Sequence, residues 1–308
     1  MHKKLLVLLA VLSIVGMCLG QAADSSASRQ DLSSITATHE PPMLGIHWAR
    51  GFDPFARLHA AKGNNPDMTY HGGVIMPSTV SEAIFWGPSW ANSSFTGDKI
   101  TGLDGWYSGF SGSNYAKTSD EYTGSNGQVG SSLINDHFLV DTSTAASGSS
   151  TSAIVAEVCK EIVNPVTNGY YPVYVDVKRG NAGYCAYHTF GTCGGKTVQV
   201  AFFFNLDGDA GCDPQDTSGL HSQGLAALAN VSGHELSEAR TDPDSPGAWY
   251  DKRGQENGDK CAWTFNVPLV KFSNGTYWKI QGEWSNHAYN TGTGYPNSSG
   301  QKGCLSGR

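Results

Sequence analysis

Charged residues are scarce in this sequence, and basic residues are the scarcer kind. Only 15% of the 308 residues are charged, and 20 Lys and Arg stand against 27 Asp and Glu, for a formal net charge of −7. Proteins that bind nucleic acid or anionic lipid need clustered basic side chains. The composition therefore argues against nucleic acid and against a charged membrane surface as partners.

Long apolar runs are missing beyond the first twenty residues. A helix needs about 20 consecutive apolar residues to cross a bilayer, and no later segment approaches that length. The N-terminus differs, because Lys3 and Lys4 precede an apolar run over residues 5–15, with the small residues Cys18 and Gly20 behind it. This order is typical of a secretory signal peptide over residues 1–20. We therefore expect a secreted, extracellular protein that has no membrane partner.

The sequence also lacks two common motifs of catalytic or metal-binding proteins. It has no C-x-x-C pair and no Gly-x-Ser-x-Gly elbow, which argues against a zinc-cysteine cluster and against a serine nucleophile of that type. Six cysteines follow the signal: Cys159, Cys185, Cys193, Cys212, Cys261 and Cys304. An even number in an exported chain predicts three disulfides. Cys185 and Cys193 are the expected partners by proximity, although spacing alone does not fix the connectivity.

The remaining chain predicts a Ser/Ala-rich flexible lead-in over residues 21–40 and one domain over residues 41–308. β-branched and aromatic runs predict strands at residues 68–76, 80–86, 172–177 and 198–204. Apolar residues at helical spacing predict helices at residues 100–110, 152–163 and about 219–239. Short antiparallel strands are expected at residues 263–265, 269–272 and 277–281. We read an α/β fold, with a mixed sheet flanked by helices and a small β-rich C-terminal portion.

The last predicted helix carries the most informative spacing in the chain. His234 is followed at once by Glu235, and Glu238 comes four residues after the histidine. Residues four apart share a helix face, so His234 and Glu238 can bind one cation, while Glu235 points about 100° away. This is the layout of the metallopeptidase H-E-x-x-H helix with glutamate in place of the second histidine, and it predicts Glu235 as the general base. The alternative is a surface helix with a hydrogen-bonded core histidine.

Acidic residues downstream offer a third ligand. Glu256 lies 18 residues after Glu238, and Asp259 follows it closely. Asp244, ten residues after His234, competes for the role. The alternative for Glu256 and Asp259 is a solvated or Arg-paired loop carboxylate. Zinc is the expected metal, although a ligand set of two carboxylates and one imidazole also suits manganese or calcium.

Other residue groups have simpler interpretations. Asp207, Asp209, Asp213 and Asp216 look like a calcium loop, but they lack the glycine and closing glutamate of an EF-hand, so a solvated, disulfide-tethered loop is expected. His188 is expected to be a turn histidine rather than a ligand. Six aromatic residues line either a carbohydrate or peptide groove or, as expected more often, the core: Trp249, Tyr250, Trp263, Tyr277, Trp278 and Trp284.

Several short motifs occur in the order seen in the EXORDIUM or phosphate-induced protein 1 family. They span roughly residues 68–304 and comprise Tyr70-His71-Gly72-Gly73-Val74, Ile84-Phe85-Trp86-Gly87 with Trp90, Cys185 to His188 to Cys193, Thr241-Asp242-Pro243, Ala248-Trp249-Tyr250 and Gly258-Asp259-Lys260-Cys261. The resemblance implies a secreted protein associated with the cell wall or with growth control. It implies no settled biochemical activity.

Two functional classes follow from the sequence. In the first, His234, Glu238 and one of Glu256 or Asp259 bind a divalent cation, and Glu235 is the base for hydrolysis of a peptide or a cell-wall-type substrate. In the second, the protein is a non-catalytic extracellular binding or signalling module of the EXORDIUM type. Dependence on metal and on Glu235 separates the two.

Overall fold

The computed structural model describes residues 40–54 and 66–308. The predicted signal peptide, and the predicted lead-in apart from residue 40, lie outside the described residues. The described ranges contain fifteen strands: β1 Leu44–Trp48, β2 Thr69–Tyr70, β3 Thr79–Trp86, β4 Thr123–Gly124, β5 Gly127–Gln128, β6 Leu133–Asp141, β7 Tyr170–Lys178, β8 Tyr184–Cys193, β9 Lys196–Asn205, β10 Trp249–Tyr250, β11 Val270–Lys271, β12 Tyr277–Trp278, β13 Glu283–Trp284, β14 Tyr295–Pro296 and β15 Lys302–Leu305.

The same ranges contain five α-helices and three short 3-10 helices. The α-helices are α1 Ser93–Thr96, α2 Lys99–Phe110, α3 Thr151–Glu161, α4 Gln223–Thr241 and α5 Asn286–Thr291. The 3-10 helices are Pro88–Ala91, Ala116–Ser119 and Asp259–Cys261. Over the residues described here, no helix has the length and apolar character needed to cross a membrane.

A six-stranded mixed sheet forms the centre of the fold, in the order β1-β8-β9-β7-β3-β6. The four strands β9, β7, β3 and β6 are parallel, whereas β8 pairs antiparallel with both β9 and β1. Residues 198–205 of strand β9 are buried and mostly apolar, because strands flank β9 on both sides and chain packs on both faces of the sheet. This confirms the expected α/β class with a mixed sheet.

The β-rich C-terminal portion is built from shorter pieces than expected. Strands β11 and β12 pair antiparallel, and β15 lies between β13 and β14. The expected strand at residues 263–265 is wrong, since Trp263 has a φ of 58° and cannot continue an extended strand. The expected strand at residues 68–76 shortens to Thr69–Tyr70, which pairs with β10. A second apolar cluster, which includes Trp284 and the Cys261–Cys304 disulfide, lies beneath this portion.

Helix α4 is buried on every side. It begins at Gln223 because the Ser222 side chain accepts a hydrogen bond from the backbone N–H of Leu225, and it ends at Thr241 before Asp242 and Pro243, as expected. It packs against β8, β1, β9 and α2. A helix enclosed in this way has no solvent face. Its polar side chains therefore point into the protein interior.

The sequence assigned two of the cysteines the wrong partner. Cys185 pairs with Cys212, Cys159 with Cys193, and Cys261 with Cys304. Cys185 and Cys193 lie on the same extended strand, β8. Eight residues of strand span about 26 Å, whereas bonded cysteines have Cα atoms about 5–7 Å apart. The expected total of three disulfides is confirmed.

Candidate metal centre

Helix α4 brings His234 and Glu238 together as the four-residue spacing predicts. The Nε2 atom of His234 lies 3.1 Å from Oε1 of Glu238, and both side chains are fully buried. The alternative of a solvated surface helix is therefore wrong. A buried imidazole and a buried carboxylate at this distance are placed to share one cation.

Asp259 joins this pair from the loop that follows α4. Its Oδ1 lies 3.7 Å from His234 Nε2, and its backbone N–H donates a hydrogen bond of 2.9 Å to Glu238 Oε1. The side chain of Asp259 keeps 18% exposure, in contrast to its buried neighbours. We call the three ligand atoms of His234, Glu238 and Asp259 the first triad. They all lie within 4.8 Å of one another.

His188 brings Glu256 to the other oxygen of Glu238. His188 Nε2 lies 3.5 Å from Glu256 Oε2 and 4.0 Å from Glu238 Oε2, and the three side chains are at most 1% exposed. We call these three residues the second triad, whose ligand atoms also lie within 4.8 Å of one another. His188 is in the middle of strand β8, so the expectation of a turn histidine is wrong. Assigning residues 184–193 to a strand of the central sheet would have predicted that the His188 side chain is buried.

Both acidic residues that were candidates for the third ligand lie near Glu238. Glu256 and Asp259, expected as alternatives, each form a triad with Glu238. The Asp259 N–H bonds to Glu238 Oε1, whereas Glu256 lies beside His188, which is nearer to Oε2. Neither is a solvated loop carboxylate, because Glu256 is 1% exposed and Asp259 is 18% exposed. Asp244 is outside both triads, and its Oδ1 accepts a hydrogen bond from the N–H of Ser245.

Two glycines allow the backbone to approach these side chains. A Cβ on Gly45 of strand β1 would lie 1.9 Å from Glu238 Oε2 and 2.5 Å from His188 Nε2. A Cβ on Gly258 would lie 2.8 Å from His234 Nδ1 and 3.0 Å from Glu238 Oε1. Gly45 also has a φ of +43°, which residues with a side chain rarely adopt. Both positions therefore require glycine for the site to keep its present shape.

A chain of hydrogen bonds runs from His47 through Gln281 to His234. His47 Nε2 lies 3.0 Å from Gln281 Oε1, and Gln281 Nε2 lies 3.0 Å from His234 Nδ1. The amide orientation follows from two backbone partners, since Gln281 Nε2 donates to the Gly258 carbonyl at 2.9 Å and Gln281 Oε1 accepts from the Trp263 N–H at 3.2 Å. With this orientation Nδ1 of His234 accepts, so its proton is on Nε2. These bonds describe the metal-free tautomer.

Glu235 points into the same interior. Its side chain is fully buried, and within the described ranges neither of its carboxyl oxygens has a hydrogen-bond partner. Burial raises the pKa of Glu235 well above its ordinary value, and the neighbouring carboxylates of Glu238, Asp259 and Glu256 raise it further. The backbone N–H of His47 lowers this pKa slightly without reaching hydrogen-bonding geometry. Glu235 is thus beside the ligand groups and bonded to none of them.

The electrostatics of the whole group favour an added positive charge. Burial, followed by the charge of Glu238, raises the pKa of Asp259 well above its ordinary value. Burial lowers the pKa of His234 to about 3, and nearby His188 acts in the same direction. Two basic side chains of neighbouring residues are directed elsewhere, with Lys260 bonded to Asp251 and Arg50 to the carbonyl of Asp213. A divalent cation would neutralise carboxylates that are costly to bury.

The donor set fits such a cation. Two imidazole nitrogens and three carboxylates suit zinc, and the share of carboxylate oxygen also suits manganese. Gln281 supplies the kind of partner that orients a ligating histidine. To bind through Nε2, His234 must carry its proton on Nδ1, and the Gln281 amide must turn to accept it. The geometry therefore permits a metal and defines one local rearrangement that binding requires.

Two other acidic groups are paired with cations. Asp207 contacts Lys99 at 2.5 Å, and Asp209 receives two hydrogen bonds from Arg179, at 2.6 and 2.9 Å. The calcium-loop resemblance is therefore explained by ion pairs in a loop tethered by the Cys185–Cys212 disulfide. In the second of these groups Lys160 lies 2.5–3.3 Å from the carboxylates of Asp141, Glu157 and Glu161.

The predicted aromatic set divides between core and surface. Trp278 and Trp284 are buried, which supports the core interpretation for these two. Trp263 packs on His47 with ring centroids 4.5 Å apart, and so forms part of the wall of the site. Tyr250 is partly exposed and stacks on His71 with ring centroids 3.7 Å apart.

Comparison with known proteins gives no independent assignment. No protein-family model matches this chain. No curated protein matches it either.

Proposed function

We propose that the protein is a secreted metal-dependent hydrolase, with zinc as the first candidate metal and Glu235 as the general base. One observation carries the proposal. Two histidines and three carboxylates from β8, α4 and the loop after α4 meet in the interior around Glu238, at distances of 3.1–4.0 Å. Such a group is costly to bury without a cation.

Each residue has a distinct part in the proposed site. His234, Glu238 and Asp259, together with His188 and Glu256, would hold the metal. Bound there, the metal would supply a Lewis acid and an activated water. Glu235 would accept the proton of the attacking water at its carboxylate, since it stands one position around the helix from the ligand face and makes no hydrogen bond within the described ranges. Gln281 would orient His234.

The proposed compartment and substrate follow from other parts of the chain. Three disulfides support an oxidising environment, as secretion would provide. The motifs shared with the EXORDIUM or phosphate-induced protein 1 family lead us to propose a peptide or cell-wall-type substrate. Membership of that family stays a prediction.

The closure of the site favours a second candidate function. His188, His234, Glu235 and Glu238 are all fully buried, and structural metal sites are closed whereas catalytic sites keep an open position. A cation enclosed in this way would stabilise a non-catalytic extracellular module of the EXORDIUM type. The two candidates share the metal and differ in the role of Glu235.

Replacing Glu235 separates the candidates. Glu235→Gln should keep the metal content of the wild type, because Glu235 is not a ligand, and should lower hydrolysis of a peptide library by about 10²–10⁴-fold. The matched control is Glu283→Gln, which alters another fully buried glutamate, one bonded to Tyr115. A wild type that binds metal but cleaves neither peptides nor cell-wall polysaccharides would favour the structural cation. Equal activity in Glu235→Gln would remove this residue as the base.

A further inference from the structure

The two carboxylate oxygens of Glu238 face different groups. Oε1 is on the side of His234 and Asp259, whereas Oε2 is on the side of His188 and Glu256. We propose that the site holds two divalent cations bridged by Glu238. The first triad would bind one cation and the second triad the other. This inference rests on the proposed function to the extent that it needs the cluster to bind metal.

The distances fit two ions better than one. Two nitrogen or oxygen ligands of one zinc ion are at most about 4.4 Å apart, because each bond is about 2.0–2.2 Å long. In the first triad His234 Nε2 lies 3.1 Å from Glu238 and 3.7 Å from Asp259. In the second, His188 Nε2 lies 3.5 Å from Glu256 and 4.0 Å from Glu238. The ligand atoms fall into two sets of three that are mutually close, rather than one set of five.

His188 supplies an independent reason for a second cation. It is fully buried, and neither of its ring nitrogens makes a hydrogen bond within the described ranges. Leaving a buried polar group without a hydrogen bond costs about 1–3 kcal/mol. A cation bound between His188, Glu256 and Glu238 would satisfy the Nε2 atom. A single cation in the first triad would leave His188 as it is.

The formal charge of the cluster also matches two divalent ions. Glu235, Glu238, Glu256 and Asp259 are four carboxylates, with a combined formal charge of −4 when ionised. One divalent cation would leave −2 in a buried volume, and two would balance the charge. Uncompensated buried charge is strongly destabilising, so the acidic content of the site matches two ions.

Strand β1 approaches closely on the side of the second triad. Because Gly45 has no Cβ, its backbone can lie against Glu238 Oε2 and His188 Nε2, the two atoms that a Cβ would meet first. Pairs of metal ions about 3.5–4 Å apart recur in enzymes that hydrolyse peptide bonds or phosphate esters. In phosphoryl transfer they stabilise both the attacking and the leaving oxygen. The proposed reaction class is accordingly hydrolysis at a two-metal centre.

Metal stoichiometry with manganese tests the proposal. The intact mature protein is stripped with a chelator, loaded with Mn²⁺ and desalted, and its metal is measured by plasma mass spectrometry. We expect two ions per wild-type chain and the electron paramagnetic resonance spectrum of an exchange-coupled pair. His188→Gln and His234→Gln should each keep about one ion, with an uncoupled spectrum, and Glu238→Ala should keep none. His137→Gln, which changes an exposed histidine, is the matched control and should keep two.

Each other result has a defined meaning. One ion per wild-type chain, with an uncoupled spectrum, overturns the two-ion centre and leaves the proposed function standing. No ion in the wild type overturns both. Circular dichroism shows whether each variant is folded. If His188→Gln does not fold, the stoichiometry and the coupling in the wild type still decide between one ion and two.

Discussion

His188 Nε2 lies 3.5 Å from Glu256 Oε2, although the first is on a strand of the central sheet and the second is in the loop after α4. The contact is fully enclosed by the protein. It joins the sheet to the segment that also carries Asp259. It also brings His188 and Glu256 close to the carboxylate of Glu238. The site therefore depends on tertiary packing as much as on the spacing within α4.

The close approach of β1 predicts that Gly45 cannot be replaced. In Gly45→Ala the new methyl would lie 1.9 Å from Glu238 Oε2, so either the strand or the ligand must move. We expect at least a tenfold weaker affinity for Zn²⁺, measured by competition with a chelating dye. Gly51→Ala is the matched control, since Gly51 also has a positive φ, of +79°, but nothing lies within 4 Å of its Cβ. Equal losses in both variants would point to backbone strain instead of the site.

The hydrogen bonds of Gln281 predict a change of tautomer at His234. In the metal-free protein Gln281 Nε2 donates to His234 Nδ1, which puts the proton on Nε2. Metal binding should move that proton to Nδ1, because a ligating nitrogen needs its lone pair. Nitrogen-15 chemical shifts of the His234 ring, recorded with and without Zn²⁺, measure this directly. In Gln281→Glu the carboxylate can only accept a hydrogen bond, so Nδ1–H should be present even without metal. Nδ1–H in the metal-free wild type would contradict the assignment.

Much of this site follows from the sequence, and the missing part has a physical cause. Helical periodicity and the Asp242-Pro243 stop predict α4, so they also predict that His234 and Glu238 share a face. Local spacing carries no information about which strand pairs with which. His188 and Gly45 reach the site only because β1 and β8 pair antiparallel beside α4.

The same limit explains the disulfides, whose partners are distant in the chain. Proximity suggested Cys185 with Cys193, and strand geometry separates them. Peptide mapping of the non-reduced protein should recover three cross-links, one of them Cys185–Cys212. The double variant Cys185→Ser, Cys212→Ser should lose about 3 kcal/mol of unfolding free energy in urea, because a closed loop of 27 residues is released. A Cys185–Cys193 cross-linked peptide would contradict the fold described here.

Glu157 predicts a pH dependence of stability away from the proposed metal. Burial, followed by the hydrogen bond to Asp141, raises the pKa of Glu157 from 4.5 to about 7, against the opposing effect of Lys160. From pH 4.5 to 7 the unfolded chain releases this proton while the folded chain keeps it. The unfolding free energy should therefore fall as pH rises through this window.

We expect a fall of about 1 kcal/mol, since the partly exposed Lys160 allows solvent to screen the group. Glu157→Gln should remove this slope in urea titrations at pH 4.5 to 7.5. Glu161→Gln, which changes another carboxylate that contacts Lys160, is the matched control and should keep the slope. An unchanged slope in Glu157→Gln would assign the effect to another group.

The central claim is that the buried group around Glu238 binds a divalent cation. The most direct measurement is elemental analysis of the secreted mature protein, purified without added metal or chelator, beside His234→Ala prepared in the same way. We expect at least one zinc or manganese ion per wild-type chain and a clear loss of metal in the folded variant. A folded wild type without a stoichiometric divalent cation, which also takes up none from Zn²⁺ or Mn²⁺ solutions, would contradict this claim.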